Sequence, residues 1–199
     1  MTVFKTARCV LAVVALAATM SVTAVVASAA TTSPATGGAT FVSMDDYLQR
    51  WGPPTADRSD TDPGVAAPAA LEPPGGSSHW WTIIWDYHDL RGTSTPVRWG
   101  NEELGYAHYA QPHNLLSNKP IQAAFQTHKP DKAVGAHLEY IALAVDPANG
   151  TIYLTIRVIV QAAIRTDDGK YRTPDGKNIG VVTAYCEGHT VCPAWVNTI

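Results

Sequence analysis

The chain has 199 residues, 16% of them charged, and a formal net charge of −3. That balance excludes a strongly basic nucleic-acid binder working through a global field, so any anionic ligand has to be held by a local cluster. The charge is uneven: residues 41–90 carry eight acids against two arginines, and residues 91–199 carry nine acids against ten Lys and Arg.

Residues 1–29 begin with Lys5 and Arg8, continue as an apolar run from Val10 to Val26, and end in Ala27-Ser28-Ala29. A basic start, an apolar centre and a small-x-small end read as a secretory signal peptide, which predicts a secreted protein. A membrane anchor is the alternative for a run of this length. Thr19, Ser21 and Thr23 dilute the run, and no second apolar stretch of spanning length follows, so no membrane anchor is expected after cleavage. Cys9 leaves with the signal, and Cys186 and Cys192 remain. An even count in an exported chain favours a disulfide between them. A metal pair helped by His189 is the alternative, one ligand short of a closed zinc site.

Residues 30–40 are small and polar and read as a flexible leader. Phe41 to Trp51 predicts a short helix with Ser43 as N-cap and Asp45 and Asp46 in its first turn. Residues 53–78 contain six prolines with Gly75 and Gly76, a polyproline-like linker. His79 to Asp89 then packs Trp80, Trp81, Ile83, Ile84, Trp85 and Tyr87 together. Such a density predicts an anchor buried on the main domain, with an exposed platform for stacking bases or sugars as the alternative.

The folded domain is expected over 79–199, its core over about 90–186. Glu102–Tyr109 and Pro120–His128 read as helical or irregular, with Pro120 suited to a first turn. Leu138–Val145 and Thr151–Gln161 read as strands joined by the Asp146–Gly150 turn, and Ile179–Tyr185 as a last strand. In the second strand Ile152, Leu154, Ile156, Val158 and Val160 alternate onto one face, and Tyr153, Thr155, Arg157, Ile159 and Gln161 onto the other. The order predicts an α+β fold, with N-terminal helices packed on a small curved antiparallel β-sheet.

Three groups carry candidate chemistry. His108 and His113 are a natural acid–base pair near neutral pH, with Pro112 expected to stop a helix between them. Arg157 stands alone among β-formers; its guanidinium could clamp a phosphate, or pair with Glu139 or Asp146 on a neighbouring strand. Thr183 and Tyr185 lie two apart on a strand, so their hydroxyls face one side.

Pro96-Val-Arg98-Trp-Gly100, Gly105-Tyr-Ala-His108 and His113-Asn114, followed by Gly180-Val-Val-Thr183-Ala-Tyr185, resemble in type and order the barnase–EndoU–colicin–RelE superfamily of secreted bacterial ribonuclease toxin domains. The resemblance covers about residues 95–186. It implies a metal-independent endoribonuclease that needs no cofactor. In that chemistry a base takes the proton of a ribose 2′-hydroxyl, which attacks the adjacent phosphate, and an acid protonates the leaving 5′-oxygen. Carried over, His108 and His113 are the acid and base, Arg157 stabilises phosphate charge, and Thr183 and Tyr185 position phosphate or base; His137 is a reserve candidate. The implied partners are an RNA substrate and a cognate immunity protein. Two other readings stand beside it. One is a secreted, non-enzymatic binding protein that docks through the Trp-rich segment. The other is a metal site built from His108, His113, His128 and His137, whose spacing matches no helical zinc motif.

Overall fold

The computed structural model describes residues 38–54 and 79–199. The signal sequence and most of the leader and linker expected from the sequence lie outside the described residues. In chain order the elements are β1 (Thr40–Ser43), α1 (Met44–Trp51), β2 (Ile83–His88), β3 (Ser94–Arg98), α2 (Tyr106–His113), α3 (Lys119–Ala124), β4 (Lys132–Val134), β5 (His137–Val145), β6 (Ile152–Gln161) and β7 (Gly180–Cys186). A 3-10 turn at Ala194–Asn197 follows. The fold is α+β with antiparallel sheets. The main sheet runs β1-β5-β6-β7, and β4 shares the β1 edge of β5; β2 and β3 form a separate hairpin.

Alternation sorts β5 and β6 into two faces. Leu138, Tyr140, Ala142 and Ala144 of β5, with Leu154, Ile156, Val158 and Val160 of β6, join the main core. Against them lie Val97 of β3, Tyr109 and Ala110 of α2, and Ile121 and Ala124 of α3. On the opposite face Tyr47 of α1 packs with Leu143 and Val145, and Met44, Trp51, Ile141 and Ile152 close the edges of that cluster. Ile152 was expected on the core face with Leu154. A register shift between Ala144 and Val145 turns it to the α1 side instead.

The cap of α1 forms as read from the sequence: Ser43 Oγ accepts from Asp46 N at 3.1 Å, with Asp45 and Asp46 in the first turn. Residues 40–43, however, are neither leader nor helix. They are a strand paired antiparallel with Ala142–Val145, because Phe41 has core to pack against and β5 has an open edge there. The helix expected at 102–109 starts four residues later, at Tyr106, because Asn101 Oδ1 caps Glu103 N and Leu104 N in a turn before it. Pro112 does not stop it. The proline removes one hydrogen bond in the last turn, and the helix runs on to His113 before Asn114 ends it in the left-handed region at φ 52°. The second helix ends at Ala124 and not at His128. β2 and β3 therefore lie between α1 and α2, and only part of the tryptophan-rich segment is a strand: Ile84, Trp85 and Tyr87 of β2 pack on the core, while Trp80 and Trp81 precede it and Trp81 is exposed.

Arg98 at the end of β3 is fully buried, its side chain 0% exposed. It forms a two-pronged pair with Asp175 at 2.9 and 3.1 Å. It also donates to the carbonyls of Trp81 at 2.5 Å, Asn178 at 2.8 Å and Ile179 at 3.1 Å. A buried guanidinium is tolerated only with such full satisfaction. Gly180, next in the chain, has φ 82°, and a Cβ there would overlap the Pro96 carbonyl oxygen; only glycine lets β7 begin so close to β3.

A second buried centre joins the hairpin to the sheet. Asp89 accepts from Arg91, from Thr93 N and from the Tyr140 hydroxyl at 3.1 Å. Burial pulls the Asp89 carboxyl up, but these hydrogen bonds outweigh it and hold the group below the ordinary aspartate value. Burial, then the Asp89 charge, pushes the Tyr140 phenol up to about 12.

Removing the Arg98 side chain strands Asp175 and three carbonyls. Arg98→Ala should lower unfolding stability by about 3–5 kcal/mol in urea titration; a loss under about 1 kcal/mol would remove Arg98 from this role. The hydrogen bond from Arg98 likewise holds the Asp175 carboxyl below its ordinary value. Both aspartates thus have folded pKa values below the unfolded value of about 3.9, so their stabilisation is complete above that pH and is lost as pH falls through the folded values. Stability should drop below about pH 4, and less steeply in Asp175→Asn.

Candidate functional site

The site sits on the β5–β6–β7 face, beyond the cluster that α1 covers. Register places Ile141, Arg157 and Tyr185 side by side across the three strands. The next row is Glu139, Ile159 and Thr183. Side chains in such rows face the same way and lie about 5 Å apart at Cβ. The alternation read from the sequence therefore brings Arg157, Thr183 and Tyr185 onto one face.

Arg157 lies between two carboxylates. It pairs with Glu139 on β5 and, at 3.1 Å, with Glu187 just past β7. Of the two partners anticipated for it, Glu139 is the one used. Asp146 instead organises its own turn, accepting from Ala148 N at 2.8 Å. Two carboxylates against one guanidinium leave the trio net negative. Glu187 is 29% exposed against 13% for Glu139. The fork of guanidinium donors is only partly used by these two bonds, which leaves N–H groups for a further acceptor. The Thr183 hydroxyl is covered and has no hydrogen-bond partner among the described residues.

Helix α2 borders β7. Gly105 N donates to Val182 O at 2.9 Å, and this close crossing needs the φ of 81° that glycine supplies. Tyr109 and Ala110 then point into the core. The Tyr109 hydroxyl is buried without a partner among the described residues, and burial raises its pKa well above the ordinary value. His113 ends the helix with its ring centroid 6.0 Å from Tyr185. The His108 and His113 rings are also 6.0 Å apart, edge to face. The structure thus forms a continuous row: Glu139, Arg157, Tyr185, His113, His108.

Backbone carbonyls hold both imidazoles. His108 Nδ1 contacts Glu102 O at 2.6 Å, and His113 Nδ1 contacts Thr190 O at 3.3 Å. A carbonyl can only accept, so each Nδ1 carries the proton, and in the neutral ring Nε2 keeps its lone pair. Each histidine can then take a proton at Nε2 or, once charged, give one. His137 opens β5 directly opposite Gln161, at the far end of the same face. It is exposed and stands two rows from Arg157, set apart from the row.

Glu187, Thr190 and the backbone that joins them are the site elements that the sequence did not single out. Their signal was the Cys186–Cys192 loop, which does form a disulfide, with Cα atoms 5.3 Å apart. Closing so short a loop contributes about 2 kcal/mol in the chain-entropy account. Among the described residues no three His, Cys, Asp or Glu side chains are grouped to hold a metal ion. No family model matches the chain, and no curated protein or solved structure matches it.

The two imidazoles should show the Nδ1–H form when neutral. Ring nitrogen chemical shifts of His108 and His113 at pH 8 check this; shifts typical of the Nε2–H form in both would break the geometry above.

Proposed function

We propose that this chain is a secreted, toxin-like endoribonuclease that cleaves RNA without a metal, by attack of the 2′-hydroxyl on the adjacent phosphate. The observation that carries the reading is the row Arg157–Tyr185–His113–His108. It joins a cation, a phenol and two imidazoles whose Nε2 atoms make no hydrogen bond among the described residues. That set matches what the reaction requires: a base, an acid and donors for a phosphate gaining charge.

His108 and His113 then exchange protons with the 2′-hydroxyl and the 5′-oxygen at Nε2. Their 6.0 Å ring separation suits two groups flanking one phosphate. Arg157 turns its remaining donors to the phosphoryl oxygens as Glu187 gives way, and Glu139 keeps the guanidinium aimed. Tyr185 lies between cation and imidazole, placed to donate to the same phosphate. Thr183 lies one row behind it and contributes once a ligand parts its cover. The α+β fold, read as helices on a curved antiparallel sheet, and the resemblance of the Gly105–His113 and Gly180–Tyr185 segments to the barnase–EndoU–colicin–RelE superfamily support the reading. An RNA substrate and a cognate immunity protein follow from it as partners.

A second reading rests on one observation. His79 stacks on Trp81 with centroids 4.4 Å apart and planes 4° from parallel, and Trp81 is 36% exposed. A non-enzymatic binding protein would use this surface, leaving the histidines dispensable.

Purified protein should cleave mixed cellular RNA in the presence of EDTA, leaving 2′,3′-cyclic phosphate ends. His113→Ala should cut the rate by roughly 10²–10⁴-fold, while Trp81→Ala changes it less than threefold. Full activity in His113→Ala, or none in folded wild type, would move the assignment to the binding reading.

A further inference from the structure

Both halves of the row are tied to one small loop. The Cys186–Cys192 disulfide closes it over Glu187-Gly188-His189-Thr190-Val191. At one end the Glu187 carboxylate takes an N–H of Arg157 at 3.1 Å, while Glu187 N donates to Thr155 O at 2.8 Å. At the other, the Thr190 carbonyl accepts from His113 Nδ1 at 3.3 Å. Cys192 N donates to His113 O at 2.8 Å, and Asn114 Nδ2 donates to Cys192 O at 3.1 Å. The loop therefore touches the backbone and the ring of His113 as well as the guanidinium of Arg157.

The two contacts that reach the imidazole and the guanidinium are the weakest of these. The imidazole bond is long, and the Arg157–Glu187 pair is more than a quarter exposed on each side, where ion pairs contribute little. Holding five residues between fixed ends is costly in backbone entropy. The covalent link offsets that cost by removing the freedom from the open chain.

We propose that the Cys186–Cys192 disulfide is a positioning element of the site: oxidation fixes the His113 tautomer and holds Arg157, and the reduced chain has a disassembled site. This rests on the ribonuclease reading for its effect on activity, but not for its effect on His113. In the switching step a disulfide compound such as oxidised glutathione takes two electrons and two protons from the two thiols, becoming two thiols itself; a dithiol reverses it. The chain is then silent in a reducing compartment and competent in an oxidising one.

The test compares ring nitrogen spectra of His113 and RNA cleavage for the purified chain, oxidised and after treatment with a dithiol. The expected result is the Nδ1–H signature in the oxidised protein, its replacement by a tautomer mixture on reduction, and at least a tenfold loss of cleavage that oxidised glutathione restores. An unchanged signature and rate on reduction would overturn the proposal. Because reduction could unfold the chain, a second variant inserts two glycines between Gly188 and His189 and keeps the disulfide. Its His113 should lose the signature with native circular dichroism, and retention of the signature would equally overturn the proposal. Absence of cleavage in every state counts against the ribonuclease reading, while the His113 signature still decides the positioning claim.

Discussion

The buried guanidinium of Arg98 is the constraint on which the rest of the arrangement depends. One side chain with no exposure joins four stretches of chain: Trp81 before β2, its own strand β3, Asp175 in the turn before β7, and Asn178 and Ile179 at the entry to β7. Those contacts bring β7 into the sheet next to the hairpin, and the glycine at 180 lets the two backbones meet. With the start of β7 so placed, a register shift between Ile159 and Val160 sets Thr183 opposite Ile159 and Tyr185 opposite Arg157. A buried ion pair is seldom the most stabilising way to fill a space. Here it joins segments that are distant in sequence, which a hydrophobic side chain of the same size would do without choosing a register.

The site is assembled by elements of three different kinds. The sheet supplies Glu139, Arg157 and Tyr185 by alternation, on the face that α1 caps at its other end. Helix α2 supplies His108 and His113, held against the β7 edge by the Gly105 crossing. The disulfide loop supplies Glu187 and the Thr190 carbonyl. Each imidazole is oriented by a backbone carbonyl and not by a carboxylate. That arrangement orients the rings without adding negative charge beside them. The negative charge is placed around Arg157 instead, where Glu139 and Glu187 hold the guanidinium.

Much of the sheet was legible because its signal is local. β6 shows clear period-two alternation and β5 a partial one, Thr183 and Tyr185 two apart mark one face of β7, and the Ser43 cap with two following aspartates marks α1. What escaped was set by partners far away in the chain. β1 has four residues, too short for a period to show, and exists because β5 offers an edge. Aromatic density at 80–87 predicted burial but not conformation, so the hairpin was not foreseen. Pro112 suggested a break that the final turn of a short helix tolerates. Arg98 reads as an ordinary charge beside apolar neighbours, since its carboxylate lies 77 positions downstream. Arg157 was legible from alternation and its Glu139 partner from cross-strand reach. Glu187 and Thr190 were not, because only loop closure brings them to the site.

The measurement that tests the central claim most directly is an NMR titration of the oxidised protein with a dinucleotide whose 2′-hydroxyl at the scissile link is replaced by hydrogen, so that it binds without reacting. The account predicts shift changes confined to the Arg157 side-chain N–H, the Tyr185 amide and the rings of His108 and His113. The indole N–H of Trp81 should stay still. Changes centred on His79 and Trp81, or none at the histidines at millimolar ligand, would contradict it.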